Sequence, residues 1–160
     1  MSTDGLSGPE DCNCLAVRQA ARHITQFYDR FLAPSGLRTT QFSILARLRR
    51  LGPMTINTLA ADLVMDRTTL GRNILPLQRD GLIAVETGKR DRRSKTLRLT
   101  DSGAARFQAA TKGWVQAQRQ LEAAFGAKRT AEMRALLHTV AATDLGSNAI
   151  GAKDAVLGSG

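Results

Sequence analysis

The sequence predicts a mainly α fold with a small β-wing, a winged helix-turn-helix domain plus a helical dimerisation region. Three observations carry that prediction. Apolar residues recur at helical spacing in six segments, and only a few residues part the third segment from the fourth. Two short runs, 82–87 and 95–99, read as strands, the second alternating Leu97 and Leu99 against Lys95, Thr96 and Arg98. Between them lies GKRDRRSK (88–95), a turn with five positive residues and one acid. Two close helices, a ribbon with a basic tip and then a further helix follow the order that sets one helix in a DNA groove and a loop in the next.

Taken in order, residues 1–10 are rich in Gly, Ser, Pro and acids, the composition of a disordered N-terminus. Asp11 is the expected N-cap of the first helix, whose apolar stripe runs from Leu15 and Val17 through Ile24, Phe27 and Tyr28 to Phe31 and Leu32. Pro34, Ser35 and Gly36 end it. The second helix starts at Thr39 or Thr40, turns Phe42, Leu45, Leu48 and Leu51 inward, and stops at Gly52-Pro53. Thr55 opens the third, with Ile56, Leu59, Ala60 and Leu63 on its inner face. Asp66 caps the fourth, Leu70, Ile74 and Leu77 make its stripe, and Gly81 is its C′ residue. Pro76 removes the bond from its own nitrogen to the Arg72 carbonyl and should kink or tighten that helix.

A fifth helix runs from Thr100-Asp101 to about Phe125, with Phe107, Trp114, Leu121 and Phe125 on one side. At ~1.5 Å per residue it spans roughly 35–40 Å, more than a small winged domain covers, so part of its apolar face needs another partner. A sixth, near Thr130 to Thr143, offers Met133, Leu136, Leu137 and Val140. The expected domain plan is a winged helix-turn-helix over 37–100, dimerisation helices over 11–34 and 101–143, and a flexible Gly/Ser/Ala-rich tail over 144–160.

Composition narrows the class of partner. A chain of 160 residues that is 42% hydrophobic has room for one core and a dimerisation extension. Its net charge of +9 favours an anionic partner, either nucleic acid or an acidic membrane surface. Residues 67–98 hold nine Lys or Arg against three acids, a net +6, so most of the excess lies on the ribbon and the helix before it. A basic stripe on a folded motif is the footprint of DNA binding. No apolar run approaches the roughly 18–20 residues of a membrane span. The segment MSTDGLSGPEDC lacks the apolar core of a signal peptide, so the expected location is the cytoplasm. Cys12 and Cys14 are too few for a disulfide scaffold and too close for a zinc site, and neither metal nor cofactor is expected. Two histidines, no glycine-rich phosphate loop and no Ser-His-Asp grouping argue against an enzyme. The rival of another class is a winged helix that binds only protein or RNA. Salt dependence of binding separates the two.

Bases are read from the N-terminal half of a recognition helix, here Arg67, Thr68, Thr69, Arg72 and Asn73. Arg grips guanine O6 and N7, Asn grips adenine, and Thr contacts phosphate or a thymine methyl. Simple first-turn capping is the competing reading for Thr68 and Thr69, but it does not explain Arg67 and Arg72. At the ribbon tip, Asp91 can pair with the Arg93 guanidinium and hold it extended for a narrow minor groove. Lys89, Arg90, Arg92 and Lys95 are expected to touch phosphates, which gives affinity without sequence information.

The helix pair 59-LAADLVMDRTTLGR-72, the segments 36-GLRTTQFSIL-45 and 81-GLI-83, and the wing 91-DRRSKTLRLTDSG-103 resemble the MarR family of bacterial transcriptional regulators. The resemblance runs from about Leu15 to Val140. It implies an obligate homodimer joined through its terminal helices on a pseudo-palindromic operator of double-stranded DNA. It also implies a repressor that lets go when a small ligand or an oxidant perturbs the dimer. It carries the minor-groove role onto Arg93 and the orienting role onto Asp91. Gly71 departs from the Ser or Thr that family members often place there, and Pro76 is a second departure.

Two release signals follow from the same resemblance. One is a small organic, aromatic-acid-like effector bound between the dimer helices and the DNA lobe. Arg22, His23, Tyr28, Gln41 and Arg47 are its candidate contacts, chosen as polar residues on otherwise apolar helices. The other is an organic hydroperoxide sensed by Cys14, in the first helical turn where the helix dipole favours negative charge, with Arg18 one turn on. Tyr28 matches one tyrosine of the hydroperoxide-sensing members, whereas Arg18 and Thr39 stand where others are expected.

Overall fold

The computed structural model of the chain describes residues 8–146. It divides into two compact units that part between Gln120 and Leu121. In the first unit, helix α1 (Asn13–Leu32) precedes α2 (Thr39–Leu51), a short strand β1 (Met54–Thr55), α3 (Ile56–Asp62) and α4 (Arg67–Arg79). Strands β2 (Ile83–Thr87) and β3 (Lys95–Leu99) form the wing, and α5 (Asp101–Phe125) follows. Helix α6 (Ala127–Ala142) lies in the second unit. Among the described residues, no helix is long and apolar enough to cross a membrane.

Several boundaries differ from the sequence expectation for local reasons. Pro9–Asp11 form a 3-10 turn, and the N-cap of α1 is Cys12, not Asp11. The Cys12 Sγ accepts the Leu15 N–H at 3.4 Å. Residues 1–7 of the expected disordered segment, and residues 147–160 of the expected tail, lie outside the described residues. Helix α6 begins at Ala127 rather than Thr130, because Gly126 (φ 98°) supplies the turn after α5. The expected two-stranded ribbon is a three-stranded antiparallel sheet in the order β1-β3-β2. Met54 pairs with Leu97 and Thr55 with Thr96, so two residues just before α3 cover the free edge of β3.

The core of the first unit forms where α2, α3, α4 and the sheet converge. Leu32, Ile44, Leu45, Leu59, Leu70, Leu77, Leu82 and Leu97 are all removed from water. Leu51, expected to point inward, is 50% exposed, and Ile44 takes the inward place instead. Polar caps set the helix ends. Asp29 of α1 accepts both the backbone N–H and the hydroxyl of Thr39 at 2.7 Å, fixing the start of α2 from a neighbouring helix. Despite Pro76, α4 is helical throughout Arg67–Arg79, and the Pro76 carbonyl accepts the Asp80 N–H.

At its C-terminus, α4 stops in a Schellman turn. Gly81 (φ 72°) donates to the Gln78 carbonyl, and Leu82 donates to that of Leu77. Thr100 then fastens this turn to α5. Its hydroxyl donates to the Gly81 carbonyl at 2.6 Å and accepts the Gly103 N–H at 3.0 Å, while its own N–H donates to Leu82. Gly103 lies so close to this turn that a Cβ would stand 2.0 Å from the Leu82 oxygen. Gly113 meets the Phe31 carbonyl of α1 as closely, at 2.2 Å. Small residues thus line the inner side of α5, where Gly103, Ala110 and Ala117 are the buried positions. Phe107 and Trp114, on the side read as apolar, are half-buried and pack against the core.

The second unit pairs the end of α5 with α6. Arg129 lies over the Phe125 ring at 4.4 Å, Arg134 reaches Glu122 at 4.0 Å, and buried Thr130 donates to the Gly126 carbonyl. Leu136, Leu137, Val140 and Leu145 are left exposed.

Gly103→Ala is expected to lower unfolding free energy by about 1–3 kcal/mol, because the added methyl collides with backbone that cannot step aside. Gly71→Ala is the matched control. A Cβ there meets nothing within 4 Å, so alanine should raise stability by roughly 1 kcal/mol through helix propensity alone. Urea midpoints of the two variants check both signs, and an unchanged midpoint for Gly103→Ala refutes the close approach.

Candidate nucleic-acid interface

Helix α4 begins at a cap built by two side chains. Asp66 Oδ1 accepts the Thr69 N–H at 2.8 Å, and Asp66 Oδ2 accepts the Thr69 hydroxyl at 2.6 Å. The Thr69 hydroxyl holds the carboxylate below its ordinary value of 3.8, helped by the Thr69 N–H and opposed by slight desolvation. The turn before it is tight. Val64 adopts φ 50°, unusual for a β-branched residue, while Met65 donates to the Ala60 carbonyl.

The cap divides the five residues expected to read bases. Arg67, Thr68, Thr69 and Arg72 are exposed. Thr69, however, spends its hydroxyl on Asp66. Asn73 is half-buried and donates its amide to the Thr69 carbonyl at 2.9 Å, so it braces the helix. Leu70, Ile74 and Leu77 face the core. On a 3.6-residue helix the direction opposite them is occupied by Thr68, Arg72, Leu75 and Arg79. Leu75, 64% exposed, was missed by the sequence reading. Its signal was available: it lies off the apolar stripe that Leu70, Ile74 and Leu77 define.

The wing is ordered by backbone bonds. Gly88 donates to the Ser94 carbonyl at 2.8 Å, and Ser94 donates to that of Asp91 at 3.1 Å. The expected ion pair between Asp91 and the Arg93 guanidinium is not formed. The Asp91 carboxylate instead accepts the Arg93 backbone N–H at 2.9 Å, the geometry of an Asx turn. A carboxylate two residues ahead reaches that N–H more directly than the end of a long side chain. Lys89, Arg90, Arg92, Arg93 and Lys95 stand on or beside this turn, and all five are exposed. Arg98, behind them, pairs with Glu86 across the strands at 3.0 Å.

Recognition helix and wing meet around one groove. Arg67 from the first turn of α4, Thr55 and Asn57 from the start of α3, and Asp91, Arg93 and Lys95 from the wing all line it. The paired strand β1 makes this possible, since it fastens the start of α3 to the wing strand.

A separate cavity of about 520 Å³ lies among α1, α2, α3 and α5 of the first unit. Its wall carries Tyr28, Phe42, Phe107 and Trp114, with Arg47 and Arg50 from α2 and Leu63 from the end of α3. Phe42 stacks on Phe107 at 4.9 Å between centroids and on Trp114 at 6.1 Å. Tyr28 bonds to Gln118 through its hydroxyl. Arg47 also pairs with Asp62 of α3 at 2.9 Å. Of the five expected effector contacts, Tyr28 and Arg47 therefore line the cavity. Arg22 and His23 project into solvent from α1, and Gln41 is engaged by the Arg38 N–H at the start of α2. Helical periodicity could not say which polar positions of α1 and α2 would face a common void.

Residues 37–95 match the MarR family. The M. tuberculosis transcriptional regulator MosR, solved in complex with DNA, superposes with a TM-score of 0.71 and 39% identity over 84% of this chain and 100% of MosR. The chain belongs to the MarR family. Curated relatives include the uncharacterized HTH-type transcriptional regulator YwoH of Bacillus subtilis, 32% identical over 58% of this chain and 66% of YwoH. Another is the transcriptional activatory protein BadR of Rhodopseudomonas palustris, 34% identical over 53% of this chain and 50% of BadR. The chain thus spans between half and two-thirds of the length of those two relatives.

In this MarR chain both cysteines are free and exposed. Cys12 serves α1 as its cap, and Cys14 stands in the helix's first turn.

The Asp66 cap has a defined pH signature. Its carboxyl is lowered in the folded state, so its stabilisation is complete above the unfolded value of 3.8 and vanishes as pH falls through the lower folded value. Asp66→Ala should therefore reduce the thermal midpoint near neutral pH, with the gap to the parent closing below about pH 4. Thermal melts from acid to neutral pH test this, and a gap independent of pH would disprove the assignment.

Proposed function

We propose that this MarR-family chain is a transcriptional regulator that binds double-stranded DNA as a homodimer in the cytoplasm, on a pseudo-palindromic operator, and represses until an effector releases it. The observation that carries the reading is the groove shared by Arg67 of the recognition helix and by Arg93 and Lys95 of the wing. Two cationic elements held at fixed spacing suit adjacent DNA grooves. Thr68 and Arg72 reach toward bases, and Arg93, set by the Asp91 turn, reaches into the minor groove. Lys89, Arg90, Arg92 and Lys95 neutralise phosphates. The DNA complex of the similar MosR supports this assignment. Leu136, Leu137 and Val140 on α6 are exposed, and so, separately, are Leu15 and Val17 on α1; each set is apolar surface of the kind a second copy would cover.

The effector is an aromatic-acid-like molecule held in the cavity of the first unit. A volume of about 520 Å³ suits a small organic ligand, and the aromatic walls offer stacking beside a guanidinium. Arg47 supplies a route to DNA. An entering carboxylate competes with Asp62 for the same cation, and Asp62 belongs to the helix that packs beneath α4. Cys14 supports a second reading, release by organic hydroperoxide, because its thiol is exposed at the start of α1.

Arg93→Ala should weaken operator binding by about 1–3 kcal/mol if the residue makes a good groove contact. The parent affinity should fall with salt at a log–log slope of about −0.9 per phosphate contacted. Fluorescence-anisotropy titrations on the protein's own upstream DNA measure both, and binding insensitive to salt and to Arg93 would sink the DNA reading. Trp114 is the chain's single tryptophan and stands in the cavity wall. Aromatic acids that release DNA should quench its emission, and Arg47→Ala should lose the release while keeping DNA affinity. Release without quenching, abolished in Cys14→Ser and triggered by hydroperoxide, would favour the redox switch.

A further inference from the structure

The outward face of α4 carries an apolar feature that phosphate contacts do not explain. Leu75 is 64% exposed, in line with Thr68, Arg72 and Arg79 rather than with the buried Leu70, Ile74 and Leu77. One turn before it, at the same side of the helix, stands Gly71. Glycine is a poor residue for a helix interior. Nothing among the described residues requires it here, because a Cβ at residue 71 would meet no atom within 4 Å and the backbone is not in the positive-φ region. A missing side chain beside a protruding leucine, flanked by arginines, has the shape of a surface that admits a close neighbour.

We infer that Gly71 and Leu75 form a second base-reading element that recognises thymine through its C5-methyl group, in the half of the recognition helix beyond Arg72. This rests on the DNA-binding reading above and deepens it. Arg72 and Arg79 flank Leu75 along the helix and hold the duplex against it, Arg79 being loosely tied to Asp80 at 3.4 Å. In a major groove, the thymine methyl is the one apolar group a leucine can cover, and cytosine, adenine and guanine offer none. Gly71 lets the helix backbone come near enough to the base edges for the leucine to make that contact. The cost is a weaker helix, and the return is discrimination for thymine at a position that arginines would leave unread.

The test uses the full chain and a duplex selected from a random library by the parent protein. Each thymine of the selected duplex is replaced in turn by deoxyuridine, which removes only the methyl. One or two thymines per half-site should show a loss of roughly fourfold in the parent, the equivalent of one buried methylene. Leu75→Ala should bind the thymine duplex correspondingly less well and be indifferent to the same replacements. Gly71→Ala should bind more weakly while melting at a higher temperature, opposite signs that a purely structural role cannot produce. Uniform tolerance of deoxyuridine by the parent overturns the inference, as does a penalty unchanged in Leu75→Ala. Parent protein that selects no duplex at all overturns the DNA-binding reading itself, so the two failures are distinguishable.

Discussion

Thr100 ties together the two parts on which the interface depends. The last turn of α4 needs its carbonyls satisfied, and the first turn of α5 needs its N–H groups satisfied. A single side chain serves both, donating to Gly81 and accepting from Gly103, while its backbone N–H binds Leu82. Gly103 completes the contact by having no Cβ to collide with the Leu82 carbonyl. The orientation of the recognition helix is thereby set against α5, the longest helix among the described residues. The strands of the wing begin and end inside the same contact, so the wing inherits its position from it.

From that fixed frame the charge distribution divides in two. Some cations are consumed by structure: Arg98 by Glu86, Arg47 by Asp62, and Arg106 by the Ser35 carbonyl. Arg67 and Arg72 on the first turns of α4, and Lys89, Arg90, Arg92 and Arg93 on the wing tip, stand exposed, with Arg67 and Arg93 on one groove. An ion pair removes a cation and an acid together and leaves the net charge of +9 unchanged, so the location of the pairs matters more than the sum. Arg47 belongs to both accounts, since it is paired to α3 and also faces the aromatic cavity.

Much of this was legible in advance because it is local. Asp66, three residues ahead of Thr69, is a cap wherever it occurs, and Gly81 after an apolar stripe is a stop. The family motif in the wing was legible too, although its internal chemistry was not. Asp91 serves the Arg93 backbone rather than its guanidinium, a choice decided by loop geometry that spacing alone does not report. Strand β1 escaped notice because two residues carry no periodicity and become a strand only through their partners Leu97 and Thr96. Leu75 escaped for a different reason. Its place off the stripe of Leu70, Ile74 and Leu77 was visible, but that this stripe fills the core and leaves Leu75 in solvent is a fact of packing.

The sequence by itself determined the helices, the Asp66 cap, the Gly81 stop, the basic ribbon and the family, since each rests on residues within a few positions of one another. Tertiary structure alone decided which polar residues share a void, which cations remain free, and that Gly81 and Thr100, nineteen residues apart, close one junction. The physical reason is range. Hydrogen bonds that cap or turn a chain are fixed by neighbours in sequence, whereas burial and ion pairing depend on whatever the packed chain brings alongside.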